Sequence, residues 1–204
     1  GARIPPSLVA VPRSLIFNWE SEARRFAPSL RVLTHRGSRR ETRAEGLHDS
    51  DVVLTTYGVL RRDIELLREV RFDYAILDEA QAIKNPRSKL ARACRRLNAG
   101  HRLALSGTPI ENRLEELWSV LEFLNPGMLG RLPAFRKVAG AGIRLDPQAR
   151  EALVPALRPF ILRRTKEQVL VDLPERTEQT LYCDLSSEER RLYVELRNHY
   201  RRVV

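Results

Sequence analysis

Short apolar runs of strand length alternate along this chain with stretches whose apolar residues recur at helical spacing. "SLVAV", Ser7 to Val11, is followed by Pro12 and by a segment placing Leu15, Trp19, Ala23 and Phe26 on one helical face. After Pro28, "LRVLTH" predicts a second strand, and Gly37 to Glu45 is polar and basic. "DVVLTTY", Asp51 to Tyr57, predicts a third strand leading into a helix over "LRRDIELL". "FDYAILDEA" predicts a buried strand, and Arg87 to Leu97 a helix with Leu90, Ala93, Cys94 and Leu97 on one face. "HRLALSGTP" then returns to a strand. Strands alternating with helices predict an α/β fold built on a mainly parallel sheet covered by helices.

Beyond these units the pattern becomes helical. Ile110, Leu114, Leu117, Trp118 and Leu121 recur at helical spacing after Pro109, and Asn125 to Gly127 ends that helix. Past Gly130 the chain reads as a Gly, Pro and Arg-rich connector, with a helix expected from Pro147 to Leu157 and a basic segment, "FILRRTKEQVLVDLPE", over Phe160 to Glu175. "TEQTLYCDLS" predicts one more strand. Ser186 and Glu189 then have capping-box spacing at the start of a terminal helix carrying Leu192, Tyr193 and Leu196. The expected organisation is a sheet domain over residues 1–130, a helical appendage and connector over 131–175, and a strand and helix over 176–204.

Composition narrows the partner class. The 36 basic and 26 acidic residues give a formal net charge of +10, which suits a polyanion, and all basic side chains except Lys84, Lys89, Lys137 and Lys166 are Arg. A solvated basic surface is the competing explanation for charge alone. Cys94 and Cys183 sit in apolar runs without metal-ligand spacing, so both read as small reduced core residues rather than a disulfide or zinc site. No apolar run is long enough to cross a bilayer and no secretory signal pattern opens the chain. Cytoplasm or nucleoid is the expected compartment, or the nucleus in a eukaryote.

The candidate chemistry lies in "YAILDEAQAIKNP", Tyr74 to Pro86. An apolar strand ending in Asp78 and Glu79 places carboxylates at the strand's carboxyl end, where open parallel sheets bind ligands. One carboxylate there could hold magnesium and the next could activate water for phosphate chemistry. A pair of solvated loop acids is the competing reading. Trp19 and Trp118 lie on apolar helical faces and are expected to pack in the core. Ser106 and Thr108 could cap or end secondary structure.

Several segments together resemble the first RecA-like lobe of the Swi/Snf family of DNA-dependent ATPases, within helicase superfamily two. "DEAQ", Asp78 to Gln81, resembles the family's DEAH or DEAQ box, and "LALSGTPIENRLEELWSVLEFLNPG" its motif III region and following helix. "VPRSLIFNWESEARRFAP" resembles motif Ia and "DVVLTTYGVL" motif Ib. "FILRRTK" resembles the segment beyond the first lobe, and "LPERTEQTLYCDLSSEERRLY" the stretch leading to a second lobe. The resemblance implies a RecA-like, P-loop NTPase-type three-layer fold, using ATP and Mg2+ to move along duplex DNA. It implies that Asp78 holds the magnesium, that Glu79 is the base for the attacking water, and that Gln81 senses nucleotide state. Ser106, Gly107 and Thr108 would couple that state to DNA. Pro12, Arg13 and Ser14, with Thr55, Thr56 and Tyr57, would line the DNA-facing surface by phosphate contacts that read no base. Lys84, Arg163 and Arg164 would add phosphate or interlobe contacts.

The chain departs from that family in one respect: it contains no Gly-Lys pair, and so no phosphate-cradling loop. The expectation is therefore a fold incomplete at its N-terminus, with sheet and core surface left uncovered, and a 204-residue chain that alone hydrolyses ATP poorly. A second RecA-like lobe in the same polypeptide and a DNA-bound protein client are the expected partners, with no membrane. A non-catalytic DNA-binding module and a protein-interaction scaffold remain the alternatives.

Overall fold

A computed structural model describes residues 4–38, 40–107, 114–139, 147–164, 168 and 185–203. Among them, five strands form one parallel sheet: β1 (Ser7–Val11), β2 (Val32–His35), β3 (Val52–Thr56), β4 (Phe72–Leu77) and β5 (Ala99–Ala104), in the order β2-β3-β1-β4-β5. β1 is central, and Leu8, Val9, Ala10 and Val11 are all buried, which is why its sequence is a continuous apolar run rather than an alternation. In register, Val9 sits between Leu54 of β3 and Ile76 of β4.

The two faces are covered unequally. Leu8, Ala10, Val53, Ala75 and Leu77 face the larger core. It is closed by α2 (Ala44–His48), α3 (Tyr57–Arg62), α4 (Ile64–Leu67), α5 (Lys89–Arg95) and α6 (Leu114–Leu124) through Leu47, Leu60, Leu67, Cys94 and Phe123. Burying each of the larger side chains contributes about 1.5–3 kcal/mol. On the opposite face, α1 (Ile16–Phe26) brings Ile16 and Trp19 against Val9, Val11 and Leu54. Past α1 this face is open over β4 and β5, where Tyr74 and Leu103 are exposed, as is Leu105 just beyond β5. β5 pairs only with β4 and stands at one edge of the sheet among the described strands.

Helix limits follow local chemistry. The expected helix over "LRRDIELL" is two short helices, because the chain turns at Asp63 and α4 restarts there. The helix expected over Arg87 to Leu97 is shorter, opening where the Ser88 hydroxyl accepts the Ala91 N–H at 3.0 Å. α2 begins inside the stretch read as polar and basic, Gly37 to Glu45, and runs to His48 because Leu47 buries itself in the main core. α8 (Pro147–Leu157) spans the segment expected from the sequence.

Residues 1–159 form one compact unit and residues 160–204 a second. α7 (Leu132–Ala139), expected in a separate appendage, belongs to the first unit, since Phe135 and Trp118 of α6 bury each other. The Trp118 indole donates to the Gly130 carbonyl at 3.0 Å. The second unit contains α9 (Ser187–Val203), opened by the expected capping box. Ser186 N–H donates to Glu189 Oε2 at 2.9 Å, and Glu189 N–H to Ser186 Oγ at 3.4 Å. Thr108, Lys166, Cys183 and the strand expected over "TEQTLYCDLS" lie outside the described residues. No described helix is long and apolar enough to cross a membrane.

Candidate active site and arginine groove

In a parallel sheet every strand's carboxyl end points to the same edge, so the loops after β1, β2, β3, β4 and β5 gather there. Asp78 directly follows β4. Its backbone N–H donates to the Ala10 carbonyl of β1 at 2.9 Å, continuing the ladder one residue past the strand. Glu79 then reverses the chain in a left-handed conformation, at φ 53° and ψ 54°. This is an uncommon conformation for a residue with a long side chain, one that costs on the order of 1–3 kcal/mol and is held by its surroundings. The restraint comes from the next strand. The Leu105 N–H donates to the Leu77 carbonyl and the Ala80 N–H to the Leu105 carbonyl, each at 2.8 Å.

The side chains form a connected set. Gln81 Nε2 donates to Glu79 Oε2 at 2.6 Å, and Gln81 Oε1 accepts from the Ser106 hydroxyl at 3.1 Å. One amide thus joins the acidic pair to the segment after β5. Asp78 Oδ1 accepts the Glu79 N–H at 2.9 Å, and Oδ2 accepts the Trp19 indole N–H at 2.8 Å. The Tyr57 hydroxyl donates to the Asp78 carbonyl at 2.6 Å. Burial first, then nearby Cys94, Asp78 and Glu79, push the Tyr57 phenol far above its usual pKa, so it stays a protonated donor.

Asp78 retains further carboxylate lone pairs and lies at the open edge of the sheet. Among the described residues no cluster of three or more His, Cys, Asp or Glu could hold a metal ion. This donor set fits magnesium, which takes one or two carboxylates and completes its shell with phosphate and water oxygens. It does not fit a metal needing an all-protein cage.

Beside this edge lies a groove of about 780 Å³. The loop after β1 supplies Arg13, the loop after β2 supplies Arg36, Ser38 and Arg40, the end of β3 supplies Thr56, and the last residue of α3 supplies Arg62. Among the described residues, no acidic side chain lines it. Arg40 is anchored from behind: its Nη2 donates to Asp63 Oδ1 at 2.8 Å, its Nε also reaches Asp63, and buried His35 Nε2 shares that carboxylate at 3.0 Å. The Arg40 hydrogen bonds and then His35 hold the Asp63 carboxyl below its ordinary pKa.

Of the residues expected to face a polyanion, the groove uses Arg13 and Thr56. Pro12 is partly buried, while Ser14 and Lys84 are exposed but do not line it; Gly107, expected to couple nucleotide state to DNA, is exposed. Thr55 is corrected: it is fully buried and its hydroxyl donates to the His35 carbonyl at 2.9 Å, because alternate residues of β3 point into the main core. Tyr57 is likewise turned inward onto Asp78 rather than outward. Trp19, expected only to pack, also hydrogen-bonds the candidate metal-holding carboxylate. Arg36, Arg40 and Arg62 went unnoticed in the sequence, although "RGSRRE" follows a predicted strand and the rule that loops after parallel strands converge could have found the first two. Arg163 and Arg164 are exposed in the second unit.

Comparison with known proteins adds an independent line. A model of the SNF2-related domain matches residues 2–203. A putative ATP-dependent helicase/translocase, YwqA, of Bacillus subtilis is 43% identical over 203 residues, covering 96% of this chain and 22% of the relative. The TATA-binding protein-associated factor MOT1 of Saccharomyces cerevisiae is 39% identical over 218 residues, covering 100% of this chain and 12% of the relative. Among solved structures, the Sulfolobus solfataricus SWI2/SNF2 ATPase core in complex with dsDNA superimposes with a TM-score of 0.74 at 42% identity. The match covers 97% of this chain and 42% of that one. The same core determined as the ATPase core domain gives a TM-score of 0.72 at 42% identity. The chain thus spans roughly a fifth or less of these curated relatives' length. With its RecA-like parallel sheet, acidic pair and matched residues in hand, the chain belongs to the SNF2-related family of ATPase domains.

Proposed function

We propose that the protein carrying this chain is an ATP-driven motor on duplex DNA, and that this chain supplies the hydrolytic half of its nucleotide site and one wall of its DNA groove. The observation that carries this reading is the chain of contacts Glu79–Gln81–Ser106 at the carboxyl edge of the sheet, beside a groove lined by Arg13, Arg36, Arg40 and Arg62. Asp78 would hold magnesium. When bound, that ion offsets charge on the phosphate oxygens. Glu79 would take the proton of the attacking water on the carboxylate oxygen that Gln81 leaves free, while Gln81 orients Glu79 against Ser106. Ser106 and Gly107, with Thr108, would carry the change onward to DNA. Arg13, Arg36, Arg40 and Arg62 would grip successive phosphates without reading bases, as a motor on arbitrary sequence requires.

Phosphate binding must come from a loop these residues lack, so the chain alone would turn over ATP poorly. A second lobe in the same polypeptide, a DNA-bound protein client and a cytoplasmic or nuclear location complete the proposal. Glu79→Gln in the full-length protein tests it: duplex-stimulated hydrolysis should fall by at least about a hundredfold while ATP binding stays within about twofold of wild type. Unchanged turnover would reject Glu79 as the base. Absence of duplex-stimulated hydrolysis in the unsubstituted protein would reject the motor.

A further inference from the structure

Asp78 is held from both faces of the sheet by aromatic side chains that lie far from it in sequence. From the α1 face, the Trp19 indole donates to its Oδ2 across 59 positions. From the main-core face, Tyr57, the first residue of α3, donates to its backbone carbonyl across 21 positions. Indole N–H has no acceptor capacity, and a backbone carbonyl can only accept, so both aromatic side chains act as donors to Asp78. With Oδ1 occupied by the Glu79 N–H, both carboxylate oxygens are pinned and the carboxylate plane is fixed, while a lone pair on each oxygen stays available. Packing alone would not ask for a Trp at position 19. It is only partly buried among Val9, Val11, Ile16 and Leu54, and its one polar hydrogen is aimed at a carboxylate rather than at solvent.

We propose that Trp19 and Tyr57 are positioning residues for Asp78: they set the orientation in which it receives magnesium and tie it to the two segments that carry Arg13 and Thr56 into the groove. This inference rests on the motor reading above. α1 follows the turn at Arg13, and α3 is capped by Thr56, whose hydroxyl accepts the Val59 N–H at 3.3 Å. Each groove segment is therefore one hydrogen bond from the candidate metal-holding residue. A displacement of either segment by a bound phosphate backbone is transmitted to Asp78 directly. Partners that orient a ligating carboxylate typically change metal affinity or activity about 10- to 100-fold when lost.

The test uses the full-length protein with Y57F, which removes only the hydroxyl donor, and W19F, which removes the indole N–H together with part of the ring, a loss of volume that W118F controls for. Binding of a fluorescent ATP analogue is followed as magnesium is titrated, with no hydrolysis required for the signal. Both variants should need about tenfold more magnesium for half-maximal binding, while duplex affinity without nucleotide stays at the wild-type value. W118F, which removes an indole donor that serves the Gly130 carbonyl instead, should leave the magnesium midpoint unchanged. Wild-type midpoints in both W19F and Y57F would overturn the proposal, and an equal shift in W118F would reduce it to a general loss of stability. If the unsubstituted protein shows no magnesium-dependent nucleotide binding, the motor reading itself fails and this inference with it.

Discussion

Removing the Asp63 carboxylate tests whether the groove is built in advance or assembled only by its ligand. Asp63 accepts from Arg40 through Nε and Nη2, and from His35 Nε2 at 3.0 Å; the Asp63 side chain is 12% exposed, Arg40 21% and His35 0%. In Asp63→Ala, Arg40 can turn toward water, so its share of the loss is small. His35 cannot, and its Nδ1 already lacks a partner among the described residues. A buried polar group stripped of its partner costs about 1–3 kcal/mol, and the small Arg40 share leaves the local loss in that range. At about 1.4 kcal/mol per decade, amides of β2 and of the α3–α4 junction should exchange about 5- to 150-fold faster. Hydrogen exchange on the full-length protein, read on peptides covering Val32–Ser38 and Leu60–Leu67, measures this directly. Acceleration below about fivefold would refute the reasoning. The pH dependence has a definite sign. Arg40 and then His35 hold the Asp63 carboxyl below its unfolded value of about 3.9, so its stabilisation is complete above about pH 5 and is lost as pH falls through the depressed folded value. Asp63→Ala should lack that acid step.

Two further outcomes test other parts of the molecule. Arg36 and Arg62 are exposed and line the groove, so R36Q and R62Q should each lower the steepness of log affinity for duplex DNA against log salt by about 0.9, without changing preference among sequences; unaltered slopes in both would remove the groove from the DNA interface. Cys94 is buried in the main core and its thiol is pushed up to about 12, chiefly by burial, so about one molecule in ten thousand carries the thiolate at pH 8. Peptide-resolved alkylation at that pH should spare Cys94 in the native protein and modify it promptly in denaturant. Rapid native modification would contradict the packing around α5.

What the sequence determined is what depends on neighbours along the chain. The continuous apolar run of β1 announces a strand buried on both faces, and the alternation of strand and helix announces a parallel sheet. The run ending in Asp78 and Glu79 announces carboxylates at a strand's carboxyl end. The Ser186–Glu189 cap was legible for the same reason, because both partners lie within one helical turn. What only the tertiary structure decided depends on which strands lie side by side. The order β2-β3-β1-β4-β5 puts β1 between β3 and β4, and that adjacency alone brings Trp19 and Tyr57 onto Asp78 from opposite faces. The same order gathers Arg13, Arg40 and Arg62 from three separate segments into one groove. The period of β3 separates Thr55 from Thr56, but only the packing decided that Thr55 enters the core while Thr56 faces the groove. Helical and strand periods are local properties of a chain. Hydrogen bonds spanning 59 and 21 positions exist only once the sheet has chosen its neighbours.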